Sequence, residues 1–366
     1  MEGRGTTHGL PSLSRRQFLL AAGVGTSISL AGCLTPGQAS DLEGQIVVDG
    51  SNTVLPHGAA VAIEFMWRNN RVSIPVRGSG TGAGFQRFCA GETAIQNASR
   101  VILPDEEEAC SANDVDWVEL QALLDGIAIM ANPENDWVEE DGGLTVEELR
   151  AIWERGSTIS TWADIRPEWP DEELVLYGRD SASGTFDYFT EHITGEVGNI
   201  RRDYSGTPDT NVIVRGVRGN KYALGWGGAG YYYENQDDIR LLGVAEEVGD
   251  PYIFPTRENI EQGTYSPLSR PMFIYVRKDA LASPLVRRYA QFFFEEVDTE
   301  GYELAAEFDI LEPGETLLWT QYAARRVGFF AINDAWVQRE FADEGYDSIE
   351  AYADATLGRA IDEVTG

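Results

Sequence analysis

The sequence predicts an α/β fold, and three observations predict it. Strand-like and helix-like segments alternate along the chain. Three strand-like runs end in Gly/Ser/Thr turns that open a helix. The 366 residues, 43% hydrophobic and 11% aromatic, suffice for two lobes with real cores. Taken in order, Gln45 to Asp49 is a short apolar strand running into Gly50-Ser51-Asn52-Thr53. Pro56 suits a first helical turn, and Ala59, Ala62, Ile63 and Met66 mark the apolar face of the helix that follows. Val72 to Arg77 is a second strand, feeding Gly78-Ser79-Gly80-Thr81-Gly82-Ala83-Gly84, with Phe85 and Phe88 at helical spacing beyond it. Gly126 to Ala131 is a third strand. Leu144 to Trp153 is an amphipathic helix with Thr145 as N-cap and Glu147 and Glu148 in its first turn. Leu174 to Tyr177 is a strand leading into Arg179, and Val212 to Gly216, Tyr222 to Trp226 and Met272 to Val276 are further strands. Late helices fall at Pro284 to Val297 and Leu317 to Arg326, and residues from about 336 onward form one or two amphipathic helices.

Open α/β sheets bind ligands beyond the carboxyl ends of their strands, so three such turns can converge on one site. The third turn is the most explicit. Arg179-Asp-Ser-Ala-Ser-Gly-Thr185 sets one arginine and a Ser-Gly-Thr turn at the mouth of a helix. A helix N-terminus offers N–H groups without intrahelical acceptors and the positive end of a dipole, so an anion is held there without a metal or cofactor. A guanidinium adds a planar fork of donors suited to a tetrahedral oxyanion.

Composition excludes other classes. The net charge is −32, and of 28 basic residues only Lys221 and Lys278 are lysines. So acidic and lysine-poor a surface resembles that of halophilic proteins, and no basic stripe exists to neutralise nucleic-acid phosphates. Three histidines, His8, His57 and His192, leave little material for a zinc site or a Ser-His-Asp triad. No metal, cofactor or catalytic residue is expected. An esterase or phosphatase using Ser183 is disfavoured, because Asp-Ser-Ala-Ser-Gly lacks the first glycine of a nucleophile elbow. Gly78 to Gly84 likewise misses the dinucleotide spacing.

The N-terminus reads as an address. Ser14-Arg15-Arg16-Gln17-Phe18-Leu19 resembles a twin-arginine export motif, followed by an apolar run too short to span a bilayer. Leu30-Ala31-Gly32-Cys33 matches a lipobox, with Cys33 as the lipidated residue. Residues 1–32 are therefore expected to be a Tat lipoprotein signal and 33–43 a tether, placing the chain on the outer face of the cell membrane. In that oxidising space Cys89 and Cys110 can close a disulfide worth about 3 kcal/mol of chain entropy. A reduced buried pair is the alternative.

Six stretches together resemble the phosphate-binding lipoproteins of ABC-type phosphate uptake systems, the periplasmic-binding-protein family often called PstS. They are Asp49-Gly-Ser-Asn-Thr-Val-Leu-Pro56, Gly78-Ser-Gly-Thr-Gly-Ala-Gly-Phe85, Gly91-Glu-Thr-Ala-Ile-Gln-Asn-Ala-Ser-Arg100, Thr161-Trp-Ala-Asp-Ile165, Arg179-Asp-Ser-Ala-Ser-Gly-Thr185 and Tyr222-Ala-Leu-Gly-Trp226. The resemblance implies a two-lobed type II binding-protein fold with two crossover strands as hinge, near Gly126 to Asn132 and Gly263 to Pro271. Lobe 1 is then 44–125 plus 272–366, and lobe 2 is 126–271. It implies ligand-binding roles for Ser51, Thr53, Ser79 and Thr81 from one lobe and for Arg179, Ser183, Gly184 and Thr185 from the other. A cysteine pair at Cys89 and Cys110 also occurs in one branch of the family. The implied function is capture of inorganic phosphate by a lipid-anchored monomer that delivers it to ABC permease subunits. Where the family carries a ligand-facing aspartate that rejects sulfate, this chain is expected to have Ala94. That keeps another tetraoxyanion such as sulfate, or a non-transport oxyanion sensor, as alternatives. Gly227-Gly228 stands where the family usually has bulkier residues.

Overall fold

The computed structural model describes residues 42–181, 183–233, 238–307 and 310–365. The export signal, Cys33 and most of the tether lie outside the described residues. The strands are β1 (Gly44–Gln45), β2 (Val48–Gly50), β3 (Val72–Ser73), β4 (Ile95–Ala98), β5 (Trp117–Ala131), β6 (Gly143–Thr145), β7 (Val175–Arg179), β8 (Ser205–Thr207), β9 (Ala223–Gly228), β10 (Arg240–Ala245) and β11 (Ser269–Arg277). The helices that matter here are α1 (Leu55–Arg68), α2 (Thr81–Cys89), α3 (Pro104–Ser111), α4 (Val146–Trp153), α5 (Gly184–Thr194), α6 (Thr210–Arg218), α7 (Pro284–Phe292) and α8 (Trp319–Arg326).

One long strand organises the sheet, whose order is β2-β4-β11-β5-β9-β7-β8. From Trp117 to Gly126, β5 pairs antiparallel with β11, and from Ile127 to Ala131 it pairs with β9, with β10 on its other edge. The chain thus passes from one half-sheet to the other along a single strand. Its first nine residues were not legible as strand, because Glu119, Gln121 and Asp125 interrupt the apolar run. Each finds a partner inside the fold: Tyr275 Oη donates to Glu119, Trp336 Nε1 to Gln121 and Arg270 to Asp125. Parallel pairs β2/β4, β7/β8 and β7/β9 give both half-sheets carboxyl-terminal edges from which turns lead into helices.

Three further elements differ from the sequence reading. Val212 to Gly216 is helical, inside α6, because Asp209 Oδ1 accepts from the N–H of Asn211 at 2.9 Å and caps the start. Ile213, Val214 and Val217 then fall on one buried face. On α1 the buried face carries Val61, Ala62 and Phe65, while Ile63 is exposed. The face turns because Phe65 packs edge-on against Tyr289 and Phe292 of α7, and because Glu64 points inward to pair with Arg68 and Arg326. The second strand shortens to β3, with one further bridge between Val48 and Val76.

Local signals succeed where hydrogen bonds stay local. Thr145 Oγ1 accepts from Glu148 N–H at 3.1 Å and Glu148 accepts from Thr145 N–H at 2.8 Å, a reciprocal cap for α4. Cys89 and Cys110 are bonded, joining α2 to α3 within a core of Phe85, Phe88, Ile102, Phe273 and Tyr275. Gly227 also finds a reason: a side chain there would meet Thr210 Cγ2 at 2.7 Å, so only glycine lets α6 lie on β9. In the other half-sheet, Phe189 of α5 stacks on Trp226 with ring centroids 4.0 Å apart, and Trp153 packs edge-on to both. Burying Phe189 contributes about 2–3 kcal/mol and fixes where the start of α5 sits.

Candidate functional site

Each predicted turn is held by its own hydrogen bonds. Asp49, fully buried at the end of β2, accepts from Gly50 N–H at 2.8 Å, Ser79 N–H at 3.2 Å and Ser79 Oγ at 2.7 Å, and pairs with Arg87. Burial opposes its ionisation, but the bonds from Ser79, Gly50 and Arg87 prevail and hold the carboxyl below its ordinary value. This carboxylate therefore ties the Gly50 turn to the glycine loop. Gly80 N–H donates to Gly50 O at 2.8 Å, and Gly80 sits at φ +95°, which side-chain-bearing residues rarely adopt. α2 begins immediately after it.

The turn ends meet. A cavity of about 410 Å³ is lined by Ser51, Asn52 and Thr53 before α1, by Gly80, Thr81 and Gly82 at the start of α2, and by Ser183 and Gly184 at the start of α5. Ser99 and Arg100, just past β4, complete that side. A side chain on Gly184 would lie 3.0 Å from Thr53 Oγ1 and 3.1 Å from Ser99 Oγ, so groups carried by opposite half-sheets are in contact range. The hydroxyls are pre-ordered: Thr81 Oγ1 and Ser99 Oγ are 3.0 Å apart, and Ser183 Oγ accepts from Thr185 N–H at 3.2 Å. Three helix starts thus aim N–H groups and dipole ends at one small volume.

Of the residues singled out from sequence, Ser51, Thr53, Thr81, Ser183 and Gly184 line this cavity. Ser79, Arg179 and Thr185 do not line it. Ser79 turns its hydroxyl to Asp49. Thr185 is buried behind Ser183. Arg179 Nε donates to Ser183 Oγ at 3.0 Å and its NH1 to Thr210 Oγ1 at 2.6 Å, so its guanidinium fixes the Ser183 hydroxyl, and its charge also acts on Asp125. Ala94 is misplaced as a ligand-facing position. It lies before β4, with its N–H on Val47 O and its carbonyl accepting from Arg277 N–H, roughly 16 Å along the strand from Ser99. Position 94 cannot discriminate between anions.

The guanidiniums at the cavity are Arg100 and Arg270. Arg100 forms a two-pronged pair with Glu106 at 2.8 Å and 2.8 Å. Arg270 is buried, its NH2 donating to Asp125 Oδ2 at 3.1 Å and its NH1 to the carbonyls of Ser99 and Gly184, each at 3.2 Å. Its plane lies over the Tyr188 ring at 4.6 Å, and Tyr188 Oη donates to the carbonyls of Pro267 and Ser269. Two carboxylates, Asp187 and Glu191, also reach the cavity from one face of α5. Burial raises the Asp187 carboxyl above its ordinary value against the pull of Arg270 and Arg100. Asp187 and Glu191 could have been found from their i, i+4 spacing below Gly184, and Ser99 from its place after a strand. Arg270 has no local signal.

Comparison with known proteins places these features in context. Residues 35–297 match the family model described as a PBP superfamily domain. Protein SphX of Synechocystis is 40% identical over 269 residues, covering 73% of this chain and 77% of its own. The phosphate-binding protein PstS of Staphylococcus saprophyticus is 34% identical over 271 residues, 74% of this chain and 82% of its own. Among solved structures, a possible phosphate binding protein from Planctomyces limnophilus aligns with a TM-score of 0.63 at 33% identity, covering 89% of this chain and 100% of that one.

Proposed function

Since the chain belongs to the PBP superfamily as a PstS-like member, we propose that it is an extracytoplasmic solute-binding protein that captures inorganic phosphate between two lobes and hands it to an ABC permease. One observation carries this reading: hydroxyls and helix starts from both half-sheets surround one cavity of about 410 Å³ with Gly184 against Thr53 and Ser99. Such a cavity suits a small, highly hydrated tetraoxyanion. Dense hydroxyl and N–H donors replace its hydration shell, and arginine supplies the opposing charge. The ligand is clamped and released unchanged.

The lobes are 44–125 with 272–366, and 126–271, hinged where β5 changes partners and where the chain enters β11. An anion bridging donors from both lobes stabilises the closed state by its differential contacts there. Asp187 takes the discriminating role once expected at position 94. A cavity carboxylate can accept the O–H of a protonated phosphate, whereas sulfate has no O–H to offer and is repelled. Export follows the twin-arginine route, and Cys33 carries the lipid that keeps the protein beside its permease.

Titration calorimetry on the folded protein at molar salt tests this reading. Phosphate is expected to bind, arsenate to compete with it, and sulfate to bind at least about tenfold more weakly, the worth of one charged hydrogen bond. Absence of heat with all three anions removes the proposal.

A further inference from the structure

Resting on the phosphate reading above, we propose that Arg270 is a further guanidinium that meets the anion and that it couples occupancy of the cavity to the hinge. Four observations lead there. Arg270 lines the cavity, yet only 5% of its surface is exposed. Its Nε–H is buried without a hydrogen-bond partner. A buried, unpaired donor on a cation is costly, and an oxyanion entering the cavity is the group that satisfies it. Its NH1 already spans the two half-sheets, holding the Ser99 carbonyl beyond β4 and the Gly184 carbonyl at the start of α5. Lastly, Arg270 stands opposite Asp125 in the β11/β5 register, one residue before β5 leaves β11 for β9. The guanidinium therefore sits where both crossing strands meet the cavity.

The arrangement differs from a structural pillar in what Asp125 does. If Arg270 serves only to hold the strands, its partner carboxyl matters as much as the guanidinium does. If Arg270 meets the anion through Nε, Asp125 on NH2 neutralises part of the charge offered to the ligand, so the two residues pull affinity in opposite directions.

The test is calorimetry with inorganic phosphate on the wild type, Asp125→Asn, Arg270→Gln and the double variant Arg270→Gln/Asp125→Asn, with ligand-free thermal melts alongside. The double variant leaves no unpaired buried charge, so a fold is retained even if Arg270→Gln alone fails to fold. Asp125→Asn is expected to bind phosphate as tightly as the wild type or tighter, and both variants lacking the arginine at least about tenfold more weakly. Arg270→Lys recovers only part of the loss, because an ammonium lacks the fork that reaches both carbonyls and the anion together. Wild-type-like affinity in the double variant overturns the proposal while leaving the phosphate reading intact, and so does a loss in Asp125→Asn equal to that in Arg270→Gln. Should the wild type bind arsenate or sulfate but not phosphate, the phosphate reading fails and the same series with the bound anion decides Arg270. Silence of the wild type toward all three overturns both.

Discussion

Gly184 shows how closely the two half-sheets approach where a side chain is missing. It opens α5 beside the hydroxyls of Thr53 and Ser99, and its φ is not of the kind that demands glycine. Alanine there should favour the helix by up to about 1 kcal/mol, yet its methyl group would stand 3.0–3.1 Å from two hydroxyl oxygens facing the cavity. Gly184→Ala is therefore expected to melt at or slightly above the wild-type temperature while losing about tenfold or more in phosphate affinity. Parallel melting and calorimetry check this, and a variant that loses both together would contradict it. Ser183 and Gly184 were legible because a Ser-Gly pair before an amphipathic run is a helix start wherever it occurs. Ser79 was assigned to the ligand on equal grounds, but its hydroxyl is claimed by Asp49, a competitor thirty positions away that local pattern does not reveal.

At the scale of elements, the glycine loop and the β2 turn act as one unit because Asp49 accepts from both. Asparagine at this position keeps an acceptor oxygen but turns an amide donor toward Arg87 and removes the charge from every remaining bond. Asp49→Asn should lower stability by about 2 kcal/mol, read as a shift in the urea midpoint. A change under about 0.5 kcal/mol would mean the loop is held by other means. Its pH dependence follows from the same bonds. A carboxyl held below its ordinary value contributes stability above pH 3.8, and that contribution is lost as pH falls through the lowered value. Elements closed by contacts within a few residues, such as the Thr145–Glu148 cap, were readable from sequence. α6 was not, because its run of β-branched residues favours a strand locally, and it takes the Asp209 cap together with packing on β9 to make it a helix.

Over the whole molecule, His57 reports the integrity of the join between α1, β5 and α8. It is fully buried, its Nε2 lies 3.1 Å from both the carbonyl and the hydroxyl of Thr320, and Thr320 Oγ1 donates to Ala122 O on β5. Burial lowers its pKa from 6.5 to about 4, so the folded state keeps it neutral. The stability tied to this group is complete above pH 6.5 and drains away as pH falls toward 4, at up to about 1.4 kcal/mol per pH unit. Unfolding free energies between pH 7 and 5 should show this slope, and His57→Gln should flatten it; an unchanged slope would exclude His57 as its source. The amino-acid sequence by itself determined the alternation of strands and helices, the capped turns, the cysteine pair and the character of an oxyanion cradle. Each of these rests on residues close together in the chain or on composition. Which arginines line the cavity was decided only by the tertiary structure. Arg270 and Asp125 are 145 residues apart and meet through sheet register alone, whereas Arg179, adjacent to its turn, spends two of its donors on the hydroxyls of Ser183 and Thr210. Local hydrogen bonding fixes what a turn can offer, and the register between distant strands fixes which charges it shares the cavity with.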